Sequence, residues 1–335
     1  MLRLTFLGTA SSRPTVSRNV SAIAVQREGR FFLFDCGEGT QRQMMRYGVG
    51  FGVEAIFVTH LHADHYLGIT GLLRTMTLQG RTEELVLWGP AGSHATLRLL
   101  AELGGDRFTF PLHIRELPGG ESAAYDGFRL EAFPTEHTRE SIGLALVEGS
   151  RLGRFDPERA RELGVPEGPL FGRLHRGEVV HLPDGRSVEP GEVVGPSRPG
   201  RRVVYTGDTR PCDATIEAAR AADLLIHEAT FDETERSRAA ETAHSTARQA
   251  GEIAAAAGVR HLVLTHLSAR YSEQPRVLLR EARRVFRQVR VARDGDVVEV
   301  PFPDAGSGGA AVRRRTSSPG TSGARRPPAA GRGAP

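Results

Sequence analysis

The run THLHADH, Thr59 to His65, packs three imidazoles and a carboxylate into six residues directly behind the apolar run Val53–Val58. All four side chains are nitrogen or oxygen ligands of metal ions. Buried imidazoles and carboxylates need partners, and this cluster offers mainly one another. Side chains alternate along an extended segment, so His60 and His62 fall on one side of it. Asp64 and His65, in the turn that follows, can face a second ion. Three further apolar runs end in the same way: LEAFPTEH at His137, VVYTGD at Asp208 and HLVLTH at His266. If these strands share sheets, His60, His62, Asp64, His65, His137, Asp208 and His266 collect along one rim of a β-sandwich core. Seven donors exceed the four of a tetrahedral zinc, and no cysteine stands among them, which argues against a structural zinc. They suit two adjacent ions, about 3.5–4 Å apart, with one bridging carboxylate and room for a water.

The elements that must position these groups are legible around them. Ser21–Val25 and Phe31–Phe34 read as a hairpin that ends in the turn DCGEGT. GITGLLRTMTL has helical spacing, and SHATLRLLAEL is a helix with Ser93 as its N-cap. Regular structure resumes at RRVVYTGDT. A helix near 213–222, the strand DLLIHEA, a helix HSTARQAGEIAAAAG closing on glycine, and the strand HLVLTH follow. The Arg-rich helix QPRVLLREARRVFRQVR reads as a solvated amphipathic face, and VRVA and DVVEVPF are the last strands.

Residues 150–200 differ. Pro and Gly are dense, no long periodic element is present, and eight Arg balance eight Asp and Glu. Within this insertion GPLFGRLHRGEVV concentrates Arg173, His175 and Arg176 against a single acid. These cations, with the backbone amides of Gly168, Gly172 and Gly177, can track a phosphate backbone without reading sequence. A passive loop is the plainer account, but a loop this long in a compact enzyme is usually functional.

Hydrophobic residues make up 39% of the 335, enough for a packed core. No apolar run approaches the roughly 20 residues of a membrane span. The N-terminus reads as a first strand rather than a signal peptide. Cys36 and Cys212 are the only cysteines, which fits a cytoplasmic protein without a disulfide framework. There is no lysine, so all 44 basic residues are Arg, and coding bias explains this better than heat adaptation. The net charge of +4 rests on six Arg beyond Ala305, so residues 1–304 carry −2. From 305 to 335 the chain is Gly, Ser, Pro, Ala and Arg with little aliphatic bulk, the composition of a disordered basic tail. That tail adds nonspecific RNA affinity or is an inert extension.

The pattern HxHxDH followed by spaced His, Asp and His resembles the metallo-β-lactamase fold superfamily. FLGTASSRPTVSRNVSA, FDCGEGTQRQM, THLHADHYLGITGLL, GPLFGRL, VVYTGDTRP, HEATF, HSTARQAGEIA and LTHLSARY narrow the resemblance to ribonuclease Z, the tRNA 3′-processing endonucleases, over roughly residues 1–303. Ala63 stands where the family usually has Gly, and Ile69-Thr70 where it has Leu-Pro. These departures touch loop geometry rather than ligands.

The resemblance implies an α/β fold, an αββα four-layer sandwich over 1–304, with a protruding tRNA-binding arm at about 150–200. It implies two Zn²⁺ per chain, the first held by His60, His62 and His137, the second by Asp64, His65 and His266, with Asp208 bridging. The substrate would be precursor tRNA, cut to a 3′-hydroxyl on the tRNA and a 5′-phosphate on the trailer. The chain would form a homodimer whose arm serves the other subunit. Asp64 would orient the attacking water and accept its proton, and His244 would protonate the leaving 3′-oxygen. On residue type alone His244 reads equally as a helix-start residue. Glu228 orients a partner or is a satisfied buried carboxylate. Arg270 clamps a phosphate or is one more surface Arg. Two rival readings are a generic dinuclear metallo-hydrolase or phosphodiesterase acting on small substrates, which needs no arm, and an RNA-binding protein with structural metals, which has no use for a bridging carboxylate.

Overall fold

Runs of Val, Ile, Leu and Phe three to seven residues long form the strands, and most of these are buried on both faces. The computed structural model describes residues 1–303 except 104 and 106, together with the strand 311–314. The first sheet takes β1 (Leu2–Gly8), β2 (Ala22–Arg27), β3 (Arg30–Phe34), β4 (Ala55–Phe57), β5 (Leu85–Gly89) and β6 (Leu112–Glu116). The second begins with β7 (Ser122–Tyr125), β8 (Phe128–Pro134) and β9 (Ile142–Glu148). A small hairpin, β10 (Val180–His181) and β11 (Ser187–Val188), precedes β12 (Arg202–Tyr205), β13 (Leu224–Glu228), β14 (Leu262–Thr265) and β15 (Val289–Val291) of the second sheet. β16 (Asp296–Val300) and β17 (Ala311–Arg314) return to the first.

The strand orders are β17-β16-β1-β2-β3-β4-β5-β6 and β15-β14-β13-β12-β9-β8-β7. The inner faces meet through Leu4, Phe6, Phe32, Phe34 and Phe57 on one side and Leu130, Leu144, Leu146 and Tyr205 on the other. The alternate residues point outward, with period two, to helices. Leu33 and Ile56 pack under α1 (Thr40–Tyr47), α3 (Gly68–Leu78) and α4 (His94–Glu102), while α2 (Ala63–Tyr66) is a single turn at the strand end. Val204, Leu225 and Leu264 pack under α7 (Asp213–Ala218), α9 (Ala247–Ala257) and α10 (Arg276–Arg283). Helix, sheet, sheet, helix is the expected four-layer sandwich. Among the described residues no helix is long and apolar enough to cross a membrane.

Strand direction positions the site. β3 to β6 are parallel, as are β12 to β15. β9 is antiparallel to both β12 and β8, so β8 runs with β12. The C-terminal ends of β8, β12 and β14 therefore share one edge of the second sheet. The segments after them carry His137, Asp208 and His266, and the segment after β4 of the first sheet meets them there.

The insertion, read as lacking a long periodic element, is built from short ones. It holds α5 (Pro157–Glu162), α6 (Pro169–His175) and the β10–β11 hairpin around a small core of Ala160, Val165, Leu174, Val180, Leu182, Val188 and Val193. Antiparallel bridges Arg151 to Arg198 and Phe155 to Val194 form its stalk. At its root Arg201 donates to Glu148 through Nε and Nη2, each at 2.7 Å, and Arg27 Nε adds a third bond at 2.7 Å. The root lies after β9 and before β12, on the edge opposite the ligands.

Four other expectations need correction. The helix expected through QPRVLLREARRVFRQVR ends at Arg283, and the one near 213–222 ends at Ala218. Ser93 stands at the N-cap of α4, but its side chain makes no capping bond. The tail read as disordered contains β17, antiparallel to β16, because β16 offers an unpaired edge to any segment that reaches it. The rest of 305–335 lies outside the described residues.

Candidate metal centre

Each candidate ligand sits just past a strand end, where the backbone leaves the sheet. Gly207 (φ +60°) makes the turn before Asp208, and a Cβ there would lie 2.9 Å from Thr59. A Cβ on Gly37 would lie 2.2 Å from the carbonyl of Asp64. Among the described residues four of the six non-glycine residues with positive φ, Ser12, Asp35, Ala243 and His266, surround the site. Backbone strain of this kind persists where a fixed geometry is needed.

His62 Nδ1 lies 3.1 Å from His60 Nε2 and 3.0 Å from His137 Nε2. Asp208 Oδ2 faces His60, His65, His137 and His266 at 3.6, 3.4, 3.7 and 3.3 Å. Asp64 Oδ2 lies 3.5 Å from His65 Nε2 and 3.3 Å from His266 Nε2. The ligand atoms thus fall into a group of His60, His62, His137 and Asp208 and a group of Asp64, His65 and His266, each able to hold an ion. A third group, Asp208 with His244 and His266, overlaps both.

Outer partners fix the rings. His60 Nδ1 meets Thr59 Oγ1 at 3.1 Å, His65 Nδ1 meets Asp35 at 2.7 Å, His137 Nδ1 donates to Ala243 O at 2.9 Å, and His266 Nδ1 meets Thr230 Oγ1 at 3.0 Å. A protonated Nδ1 leaves an Nε2 lone pair pointing inward, the usual outer support of a metal-bound imidazole. The buried His65 Nε2 and Asp208 Oδ1 have no hydrogen-bond partner among the described residues. Convergent lone pairs and orphaned buried atoms fit divalent cations.

The electrostatics agree. Burial alone would raise Asp208, yet His266 and His65 hold it well below the usual carboxylate range. Burial would also raise Asp64, and hydrogen bonds from His266 and His65 outweigh it. Burial and neighbouring His65 push His60 down. At His65 burial works downward, but Asp208 and Asp35 raise it.

Asp35 went unassigned in the sequence, where DCGEGT read as a turn. It is fully buried and accepts from Thr59 N at 2.8 Å and from Tyr205 OH at 2.7 Å besides holding His65. Its signal was the one used for the ligands: an acid directly after an apolar strand.

His244 comes from the loop between α8 (Arg236–Glu241) and α9. Its Nδ1 lies 2.7 Å from Glu228 Oε1. Glu228 is fully buried and also accepts from Thr209 N and Thr230 N, both at 3.1 Å, so it is both satisfied and orienting. Burial lowers the His244 pKa, but the Glu228 carboxylate wins and raises it to about 9. His244 also stands within ligand distance of Asp208 and His266. Its Nδ1 is already committed to Glu228.

The three arginines singled out for substrate are not free. Arg270 pairs with Glu235. In the arm, Arg173 and Arg176 share Glu178 at 2.9 and 3.4 Å. A cavity of about 430 Å³ opens between Ser11–Arg13 and Ser268–Arg270. Ser12 N on its wall donates to Asp64 at 2.7 Å.

Family models match residues 2–153 (Anti-Pycsar protein Apyc1) and residues 184–267 (beta-lactamase superfamily domain). The chain is 59% identical to ribonuclease Z of Gemmatimonas aurantiaca, across 90% of this chain and 97% of that one. It is 52% identical to ribonuclease Z of Myxococcus xanthus, across 91% and 99%. The chain belongs to the ribonuclease Z family. The crystal structure of human tRNase Z, short form (ELAC1), superposes with a TM-score of 0.65 at 27% identity, covering 90% of this chain and all of that one. A diphosphatase of the PhnP family, 19% identical with a TM-score of 0.60 and covering 90% and 99%, shares the fold. Family membership makes the chain an endoribonuclease of the metallo-β-lactamase fold.

Proposed function

We propose that the chain removes the 3′ trailer from precursor tRNA in the cytoplasm, leaving a 3′-hydroxyl on the tRNA and a 5′-phosphate on the trailer. The observation that carries this is the Asp208 carboxylate standing among four imidazole nitrogens at 3.3–3.7 Å. His60, His62 and His137 would hold one Zn²⁺, Asp64, His65 and His266 a second, and Asp208 both. When bound, these ions acidify a water and stabilise charge on the phosphoryl oxygens. Asp64, fixed by Ser12 N, orients the water and accepts its proton. His244, held through Nδ1 by Glu228 and protonated at neutral pH, delivers a proton to the leaving 3′-oxygen from Nε2. Arg270 stands by the cavity next to Asp64, and a substrate phosphate would draw it from Glu235.

The arm, with Arg173 and Arg176, would bind the tRNA body. Its root lies on the edge of β12 opposite Asp208, which supports a homodimer in which each arm serves the partner's centre. Incubation with a 3′-extended precursor tRNA, with the cut and both ends mapped, tests the reaction. A cut that leaves a 2′,3′-cyclic phosphate would sink it. Elemental analysis tests the ions: one metal in a fully active chain would overturn the pair.

A further inference from the structure

Many exposed arginines on this surface are paired. Arg98, Arg129, Arg159, Arg161, Arg220 and Arg248 all reach an acid in their own neighbourhood. Six that make no such pair stand together in one stretch. Arg276, Arg280, Arg283, Arg284, Arg287 and Arg290, on α10 and the segment after it, are all exposed. Among the described residues their guanidinium groups make no ion pair or hydrogen bond. The one acid within the stretch, Glu281, accepts from Glu233 N at 2.9 Å and is turned to that neighbour. Mutual repulsion of six unpaired cations costs stability, so a surface that keeps them together has a use for an anion.

Their position names the anion. Arg283, Arg287 and Arg290 line a cleft of about 190 Å³ with Leu224, Leu262 and Val289, the first residues of β13, β14 and β15. This is the N-terminal edge of the parallel strands, the edge from which the arm springs. Continuity along it is bonded. Asp223 accepts from Arg202 N at 2.9 Å, next to the arm root, and pairs with Arg260 at 3.3 Å. Next comes His261, whose pKa is lowered by burial and by Arg290 and Arg260. Asp223 on this path is thus already spent, and the edge turns cationic from Arg260 outward.

We infer that the Arg283–Arg287–Arg290 edge extends the arm into a longer track for the phosphate backbone of the tRNA body that the arm holds. The inference rests on the reading of the arm as an RNA-binding element. Spaced, unpaired guanidinium groups match a polyanion by charge, as expected for a shape-directed RNA contact.

The test uses the full chain carrying Arg283→Gln, Arg287→Gln and Arg290→Gln together. Hydrolysis of bis(p-nitrophenyl) phosphate measures the active fraction of each preparation. For a complete precursor tRNA we expect KM to rise about 10-fold and the salt dependence of binding to lose about two to three units of slope, close to one per lost phosphate contact. The matching triple Arg→Lys variant should restore both, because a backbone contact needs charge rather than a fork. A stem-loop bearing only the acceptor stem and trailer should show no change of KM. A complete substrate with unaltered KM and slope overturns the inference. So does an equal rise on the stem-loop, which would move the contact to the acceptor end or trailer. A variant with residues 153–196 replaced by a Gly/Ser linker separates the two readings. If that deletion raises KM and the triple variant does not, only the present inference falls. If the deletion leaves KM unchanged, the arm reading falls and takes this one with it.

Discussion

The metal rim and the arm handle charge in opposite ways. On the rim His65 and Asp208 are buried, and each keeps a ligating atom without a hydrogen-bond partner among the described residues. In the arm the charges are exposed and answer one another: Arg159 with Glu162, Arg161 with Glu167, Arg173 and Arg176 with Glu178. Burying charge is costly, so a cluster that stays buried and incomplete marks the place where something must be bound. Exposed pairs contribute little to stability and exchange partners freely, which suits a surface that meets a flexible polyanion.

The rim half of this contrast breaks most severely at Asp208. Asp208→Ala should release at least one metal by elemental analysis and reduce cleavage of any phosphodiester to background, since both groups of ligands lose their shared carboxylate. Full metal content in that variant would refute the shared role. His244→Ala should instead keep its metal and lower kcat by about 10²–10⁴-fold, the usual contribution of a positioned proton donor. Loss of metal there would make His244 a ligand, which its distance to Asp208 and His266 permits.

At the junction of the two regions, Glu148→Gln leaves Arg201 and Arg27 without their carboxylate. It should cost about 3 kcal/mol in urea unfolding at neutral pH, as for other broken buried pairs. The sign of its pH dependence follows from the folded pKa of about 2, which hydrogen bonds from Arg201 and Arg27 hold down against burial. The stabilisation is complete above the ordinary carboxylate pKa of about 4.3 and disappears as pH falls toward 2. The gap between wild type and variant should close over that window, and a constant gap would contradict the ion-pair account. The smallest effect belongs to the arm itself. Glu178→Gln releases Arg173 and Arg176 and should lower KM for precursor tRNA a few-fold, with a steeper salt dependence. A higher KM would mean that Glu178 shapes the arm rather than masking its cations.

These two regions also differ in how far they can be read from residues. The candidate ligands are legible because they cluster directly after apolar runs, a pattern that survives without knowing how the strands pair. Asp35 obeys the same rule after Phe31–Phe34, but the glycines beside it in DCGEGT disguised it as turn chemistry. The arm's fold was illegible. Its core draws single residues such as Ala160, Leu174 and Val188 from separate short elements, so no period of 2 or 3.6 accumulates. The helix through 276–290 was over-extended because its apolar spacing continues into Val285 and Phe286. There the chain is already turning toward β15. The unpaired state of its arginines was invisible, since Glu281 stands among them in sequence and faces Glu233 in space.

β12 carries Asp208 past one end and receives the arm at the other. A single copy therefore presents its grip and its blade on opposite sides, and dilution should expose the difference. In the proposed homodimer, separation of the copies would make turnover of precursor tRNA per mole of enzyme fall with concentration. Turnover of a small diester per mole would stay constant, because each rim is complete within one chain.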